Sequence, residues 1–214
     1  MSHLPNWVRQ HLAALRALIV LTVVTGAIYP LVVFGVAQAA FNHQANGSLV
    51  TSHGKVAGSS LLCQQFVDAK GNPLPRYFQS RPSNASDPAA NSGTAESAGC
   101  DPLFSGASNL GPNNTKLLTN VNANRKAAAQ LDGVSPGAVP PEAVTSSGSG
   151  LDPDISAQYA YEQVNRVAGA RHLDPATVRA LVTRHIQGRG IGFLGEPRLD
   201  VLQLNLALDQ AQAG

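Results

Sequence analysis

The run Ser146-Ser147-Gly148-Ser149-Gly150 is the one stretch of this chain whose residue types suggest a phosphate cradle. Small residues let successive backbone N–H groups converge into an anion-binding nest. A helix expected after the run would add its dipole. The competing reading is a plain connector, because no lysine stands beside the run and Ser/Gly tracts commonly serve as connectors. Other chemistry is sparse. No Gly-x-x-x-x-Gly-Lys-Ser/Thr loop occurs. Gly106-Ala107-Ser108-Asn109-Leu110 opens like a nucleophile elbow but lacks the second glycine. Ser108 and Ser149 are the candidate nucleophiles of an enzyme reading, and neither has a convincing base. His172 and His185 fall on neighbouring expected helices, yet no Cys, Asp or Glu completes a metal set with them. His185 reads instead as a helix C-terminal residue, where the dipole favours partial positive charge. No catalytic residue, metal site or tightly bound cofactor is therefore expected. Arg81 could pair with a carboxylate of the domain or of a partner.

The elements around these residues begin with an anchor. Ala17 to Phe41 contain no Asp, Glu, Lys, Arg or His, and a bilayer span needs roughly 20 apolar residues. Arg9 and Arg16 precede the run, and the next Lys or Arg is Lys55. The positive-inside rule then gives a cytoplasmic segment 1–16, a transmembrane helix 17–41 and an extracytoplasmic domain 42–214. Trp7 and Phe41 stand near the two boundaries as interfacial aromatics. A cleaved signal at Val36-Ala37-Gln38-Ala39-Ala40 is the alternative, although its apolar region would be only about 7–15 residues long. A buried helix of a soluble protein is a further one. Pro30 presses on the carbonyl of Gly26 and predicts a kink. Thr22, Gly26 and Pro30 recur at a spacing of four, a small-residue stripe on which a partner helix could pack. Gly and Pro are also simply frequent in such spans.

Beyond the anchor the chain is of single-domain size. Charged residues make up 13%, aromatics 5%, and the net charge is +2, with no basic stripe, so nucleic-acid binding is not expected. Leu49-Val50 and Val56 flank a turn-like Ser52-His53-Gly54-Lys55 and predict a hairpin. An exposed loop is expected from Ser83 to Cys100. A helix capped near Asn114 or Thr115 should present Leu117, Val121, Ala128 and Leu131 on one face and end at Asp132-Gly133. Residues 134–153 form a connector. A helix capped by Asp154 or Ser156 presents Ala157, Ala160, Val164 and Val167. Asp174-Pro175 starts another helix, with Val178, Leu181, Val182 and His185 inward and its end at Gly188. A last helix begins near Asp200 and presents Val201, Leu204 and Leu208. The expected fold class is thus a single N-terminal transmembrane α-helix plus a compact α+β extracytoplasmic domain. Cys63 and Cys100 both lie beyond the anchor. An oxidising compartment favours a disulfide between them, with free buried thiols as the alternative.

Ordered segments over almost the whole length resemble one family. They are Gly26-Ala27-Ile28-Tyr29-Pro30-Leu31, Gln44-Ala45-Asn46-Gly47-Ser48-Leu49, Gly58-Ser59-Ser60-Leu61-Leu62 and Tyr77-Phe78-Gln79-Ser80-Arg81-Pro82-Ser83. Ser108-Asn109-Leu110-Gly111-Pro112 and the most specific run, Val144-Thr145-Ser146-Ser147-Gly148-Ser149-Gly150-Leu151-Asp152-Pro153-Asp154-Ile155-Ser156, follow. Gly195-Glu196-Pro197-Arg198 and Leu202-Gln203-Leu204-Asn205-Leu206-Ala207-Leu208 close the match. The chain resembles the C subunit of the bacterial Kdp potassium-transporting ATPase. The resemblance implies a non-catalytic accessory subunit in the bacterial inner membrane. It would work beside a potassium-channel-like subunit and a P-type ATPase subunit, supporting assembly and raising ATP affinity as a catalytic chaperone. The Asp-Lys-Thr-Gly phosphorylation motif of such pumps is absent. Through the resemblance, Ser147, Gly148, Ser149 and Gly150 become the candidate nucleotide contact. ATP is otherwise reached through the partner subunit, because the expected topology puts this domain on the opposite side from ATP. Cys63 replaces a usual glycine, Cys100 lies in an apparent insertion near residues 86–101, and Asp154 stands where histidine is frequent. The first two departures fit a lineage-specific disulfide and put the role of Gln64 in doubt. The competing classes are an anchored extracytoplasmic enzyme and a ligand-binding sensor domain.

Overall fold

The computed structural model describes residues 4–89 and 99–213. The chain divides into two compact units, Met1–Ser48 and Leu49–Gly214.

The first unit is a helical rod followed by a short turn of helix. Helix α1 (Asn6–Val23) passes through a π turn (Val24–Ile28) into α2 (Tyr29–Ala40). The rod has 35 residues, or about 50 Å at 1.5 Å per residue. None of its residues is buried, and Leu18, Ile19, Leu31 and Phe34 are each more than half exposed. Apolar side chains all round a helix suit hydrocarbon rather than water. The break expected at Pro30 takes the form of the π turn directly before it. Widening that turn relieves the contact between the proline ring and the preceding carbonyls. Thr25 Oγ1 donates to the Leu21 carbonyl at 2.7 Å alongside. After Phe41, α3 (Asn42–Ala45) is tied back by amides. Gln38 and Asn46 exchange side-chain hydrogen bonds of 3.3 and 3.2 Å, and Asn42 donates to Gln38 at 3.0 Å.

The second unit opens with the expected hairpin. Strands β1 (Leu49–Ser52) and β2 (Lys55–Ser59) pair antiparallel through His53 and Gly54, both at positive φ (49° and 75°). Two such residues make the tight turn that matches strand twist. Four helices follow a long irregular stretch. They are α4 (Thr115–Asp132), α5 (Ala157–Arg171), α6 (Pro175–His185) and α7 (Val201–Ala213). A second antiparallel pair, β3 (Asp154–Ser156) with β4 (Arg198–Asp200), joins them. Caps fix the helix starts: Asn114 accepts from Lys116 N–H, Ser156 from Tyr159 N–H and Asp174 from Ala176 N–H. The core collects Ile155, Val164, Val167, Val178, Val182, Leu199, Leu204 and Leu208 around Phe78.

Several expectations need correction. The β3–β4 sheet was not legible, because two three-residue strands carry no periodicity. Asp154 is not a cap; it begins β3 and pairs with Arg198 at 2.8 Å, leaving the cap to Ser156. Helix α6 ends at His185 rather than Gly188, because Ile186 turns extended and Gln187 pairs with Arg198. On α4 the buried positions are Ala128, Ala129 and Asp132, while Leu117, Val121 and Leu131 are only partly covered. The loop expected at 83–100 is not wholly exposed: Ala85, Gly99 and Cys100 are buried, and residues 90–98 lie outside the described residues.

Candidate functional site

The organising feature of the second unit is a single segment without regular secondary structure, residues 77–83, threaded between α5, α7 and the Ser/Gly run. Among the described residues no strand pairs with it, so side chains supply the missing ladder. Asn205 on α7 accepts from Phe78 N–H at 2.8 Å and donates to the Phe78 carbonyl at 3.0 Å. Gln163 on α5 accepts from Gln79 N–H at 2.7 Å and donates to the Gln79 carbonyl at 3.2 Å. Phe78, Gln163 and Asn205 are each 0% exposed. Buried backbone groups must be paired, and here two amide side chains each serve one residue as a neighbouring strand would. The Gln79 amide in turn donates to the carbonyls of Phe66, Leu74 and Tyr77.

Buried arginines hold the approach to this segment. Arg166 meets Asp132 at 2.6 Å, with side chains 5% and 1% exposed, and also donates to the carbonyls of Pro75 and Tyr77 and to Gln163. Arg171 meets Asp209 at 2.8 Å, donates to the Arg76 carbonyl and lies over the Tyr77 ring. Next along α5, burial and the nearby Asp132 charge push the Glu162 carboxyl up to about 7, and its Oε1 is buried without a hydrogen-bond partner.

Beyond Gln79 the segment borders three surface cavities. One of about 330 Å³ is lined by Gln65, Gln79, Ser80, Arg81, Asn124 and Tyr159 among others. A second, of about 270 Å³, has no charged lining residue and includes Asn84, Ser108, Asn120, Asn124 and Ser146. A third, also about 270 Å³, is charged: Arg81 pairs there with Asp152 at 2.9 Å, and Arg198 with Asp154. Burial raises the Asp154 carboxyl pKa, opposed by Arg198 and assisted by Asp152 and Asp200.

The Ser/Gly run is the far wall of the same junction. Ser147 Oγ accepts from Gly150 N–H at 2.8 Å and Ser149 Oγ from Leu151 N–H at 3.1 Å. The Ser149 carbonyl accepts from Gly106 N–H, and the Gly150 carbonyl from Ser83 Oγ at 2.6 Å. Gly150 sits at φ 73°, and a Cβ there would come within 2.6 Å of the Gly106 carbonyl and 2.8 Å of Ala85 N. Only glycine fits that approach. Strand β3 stands between the run and α5, so the helix expected to lend its dipole does not follow directly. Ser147 and Gly150 are buried, while Gly148 and Ser149 are exposed. Ser108 lines the uncharged cavity and accepts from Leu110 N–H. Among the described residues, no three His, Cys, Asp or Glu side chains gather as a metal-holding group.

Cys63 and Cys100 are bonded to each other, with Cα atoms 5.5 Å apart. The bond fastens the stretch after β2 to the end of the long loop, where Ser83 Oγ accepts from Cys100 N–H at 2.9 Å. Thr22 is the second-last residue of α1, Gly26 lies in the π turn and Pro30 is the second residue of α2.

Sequence reading missed Asn205, Gln163, Arg166 and Arg171. The available signal was polar residues on otherwise apolar faces. Asn205 interrupts Val201, Leu204 and Leu208, and Gln163 interrupts Ala160, Val164 and Val167.

Comparison with known proteins gives these features a family. Residues 11–210 match the family model described as "KdpC: K+-transporting ATPase, c chain". The potassium-transporting ATPase KdpC subunit of Sorangium cellulosum is 51% identical over 201 residues, covering 93% of this chain and 96% of that protein. The Streptomyces avermitilis KdpC subunit is 46% identical over 220 residues, covering 97% and 96%. That of Mycobacterium tuberculosis is 47% identical over 204 residues, covering 94% and 98%. With the match spanning the apolar helix, the clamped segment and the Ser/Gly run alike, the chain belongs to the KdpC family of K+-transporting ATPase subunits.

Proposed function

We propose that this chain is the accessory subunit of an ATP-driven, high-affinity potassium-uptake pump in a bacterial inner membrane. It joins a potassium-channel-like subunit and a P-type catalytic subunit and supports their assembly. The observation that carries the reading is an apolar rod with no buried residue, joined to a folded domain, in a chain whose relatives bear the name of an ATPase subunit. Such a rod is long enough for one bilayer crossing. Arg9 and Arg16, on the rod ahead of its uncharged stretch from Ala17, orient the N-terminus to the cytoplasm and the domain outside, and the Cys63–Cys100 bond suits that compartment. Thr22, Gly26 and Pro30 form the stripe on which a partner helix packs.

ATP affinity is raised through the catalytic subunit rather than by nucleotide held at Ser147, Gly148, Ser149 and Gly150. The Gly150 and Leu151 amides already serve serine hydroxyls of the run itself, which supports this choice over a direct contact.

The test is recovery of the complex. A Cβ at Gly26 would meet nothing within 4 Å outside its own helix backbone, so Gly26→Leu starts with no clash in this chain and reports on a neighbour. It should lower recovery of co-purifying pump subunits and impair growth at limiting potassium, with little effect at high potassium. Equal recovery would remove the helix-packing role. Protease outside intact spheroplasts should cut the domain; full protection would reverse the orientation.

A further inference from the structure

Between α6 and β4 the chain leaves the domain as a narrow hairpin, residues 187–198. Its base is closed by Gln187 and Arg198, which exchange backbone hydrogen bonds of 2.8 and 3.1 Å. Its tip is closed by Gly190 and Leu194, which exchange bonds of 2.8 and 2.9 Å. The tip exposes three large apolar side chains: Ile191 at 84%, Phe193 at 71% and Leu194 at 53%. Ile191 also holds φ at 50°, a conformation that a β-branched residue almost never adopts. Glycine would meet that geometry without strain, so the isoleucine side chain is kept at a cost to the backbone. Strain of this kind collects at functional sites. A preformed element with an exposed aromatic at its tip has the form of an interface anchor.

The charges choose the occupant. An element that docks on anionic lipid uses uncompensated Lys or Arg beside its apolar residues. Both arginines of this hairpin are already spent within the chain: Arg189 on Glu196 at 3.1 Å and Arg198 on Asp154 at 2.8 Å. What remains is an apolar tip with a neutralised rim, the composition of a protein–protein contact centre.

We propose that the 187–198 hairpin is a docking finger whose Ile191, Phe193 and Leu194 insert into an apolar pocket on a partner subunit of the same pump. This rests on the accessory-subunit reading above. The tip, rather than the domain surface at large, anchors the contact.

The experiment uses the full chain, tagged and co-expressed with the other pump subunits, purified in mild detergent. Ile191→Gly relieves the backbone and deletes the side chain; Phe193→Ser removes the anchor. The combined variant should melt no lower than Ile191→Gly alone and recover the partners about tenfold less well. Phe193→p-benzoylphenylalanine, irradiated in membranes, should yield an adduct with a partner subunit. If the wild-type chain recovers no pump subunit, the accessory-subunit reading fails and this occupant with it. If the wild type recovers them and the variants do so equally, the finger alone is overturned. Adducts with lipid only, or with a second copy of this chain, overturn it in favour of those occupants.

Discussion

Replacing Asn205 with Leu tests whether side-chain amides truly stand in for a strand. The two side chains share one branched skeleton of four heavy atoms, so the change deletes polarity while keeping the shape, although the methyl groups of leucine take more room in the packed site. Phe78 N–H and C=O, at 2.8 and 3.0 Å from the Asn205 amide, would both lose their partner in a site where Phe78 and Asn205 are 0% exposed. Each orphaned buried group costs about 1–3 kcal/mol. Leucine returns about 1–2 kcal/mol through its greater apolar transfer energy. The net expectation is a loss of about 2–3 kcal/mol, or a fall in melting temperature of roughly 5–10 °C for a domain of this size. Urea unfolding of the full chain in detergent, followed by circular dichroism, reads the difference with an unchanged slope. Asn205→Asp adds a sign. Its carboxylate still accepts from Phe78 N–H but faces the Phe78 carbonyl, so burial and repulsion raise its folded pKa above its unfolded value. Its deficit relative to wild type should therefore shrink as the pH falls toward about 4. A loss below about 1 kcal/mol for the Leu variant, or an Asp variant indifferent to pH, would refute the clamp.

Two further outcomes follow from the same geometry. The Cys63–Cys100 bond closes a separation of 37 residues, so reducing it should cost roughly 4 kcal/mol on loop entropy; intact mass with and without alkylation, then unfolding, checks both bond and magnitude. Glu162 has its carboxyl raised from 4.5 to about 7 by burial and then by Asp132. A raised folded pKa contributes stability that is full below the unfolded value and lost as pH rises through 7. Glu162→Gln should therefore flatten the decline in melting temperature between pH 5 and 8, and a parallel curve for the two proteins would contradict the assignment.

The features readable from the residues alone are local. An uncharged run long enough to span hydrocarbon, the His53-Gly54 turn, the cap Asp174, the narrow cap choices Asn114 or Thr115 and Asp154 or Ser156, and the apolar stripes of α5, α6 and α7 are each set by neighbours within one or two turns of chain. Side-chain period and turn chemistry therefore expose them. The family was legible for a different reason: many weak segments in one order. The tertiary structure alone decided where the lone segment 77–83 finds its hydrogen bonds. Asn205 lies 127 residues from Phe78, and Gln163 lies 84 from Gln79, and no local rule links such distant partners. It also decided that Asp132, read as a helix end, is a buried carboxylate matched to Arg166, and that Gly150 is fixed by the backbone of Gly106 packed against it. Burial turns polar residues into obligatory partners, and which residues are buried together depends on the whole chain having already folded.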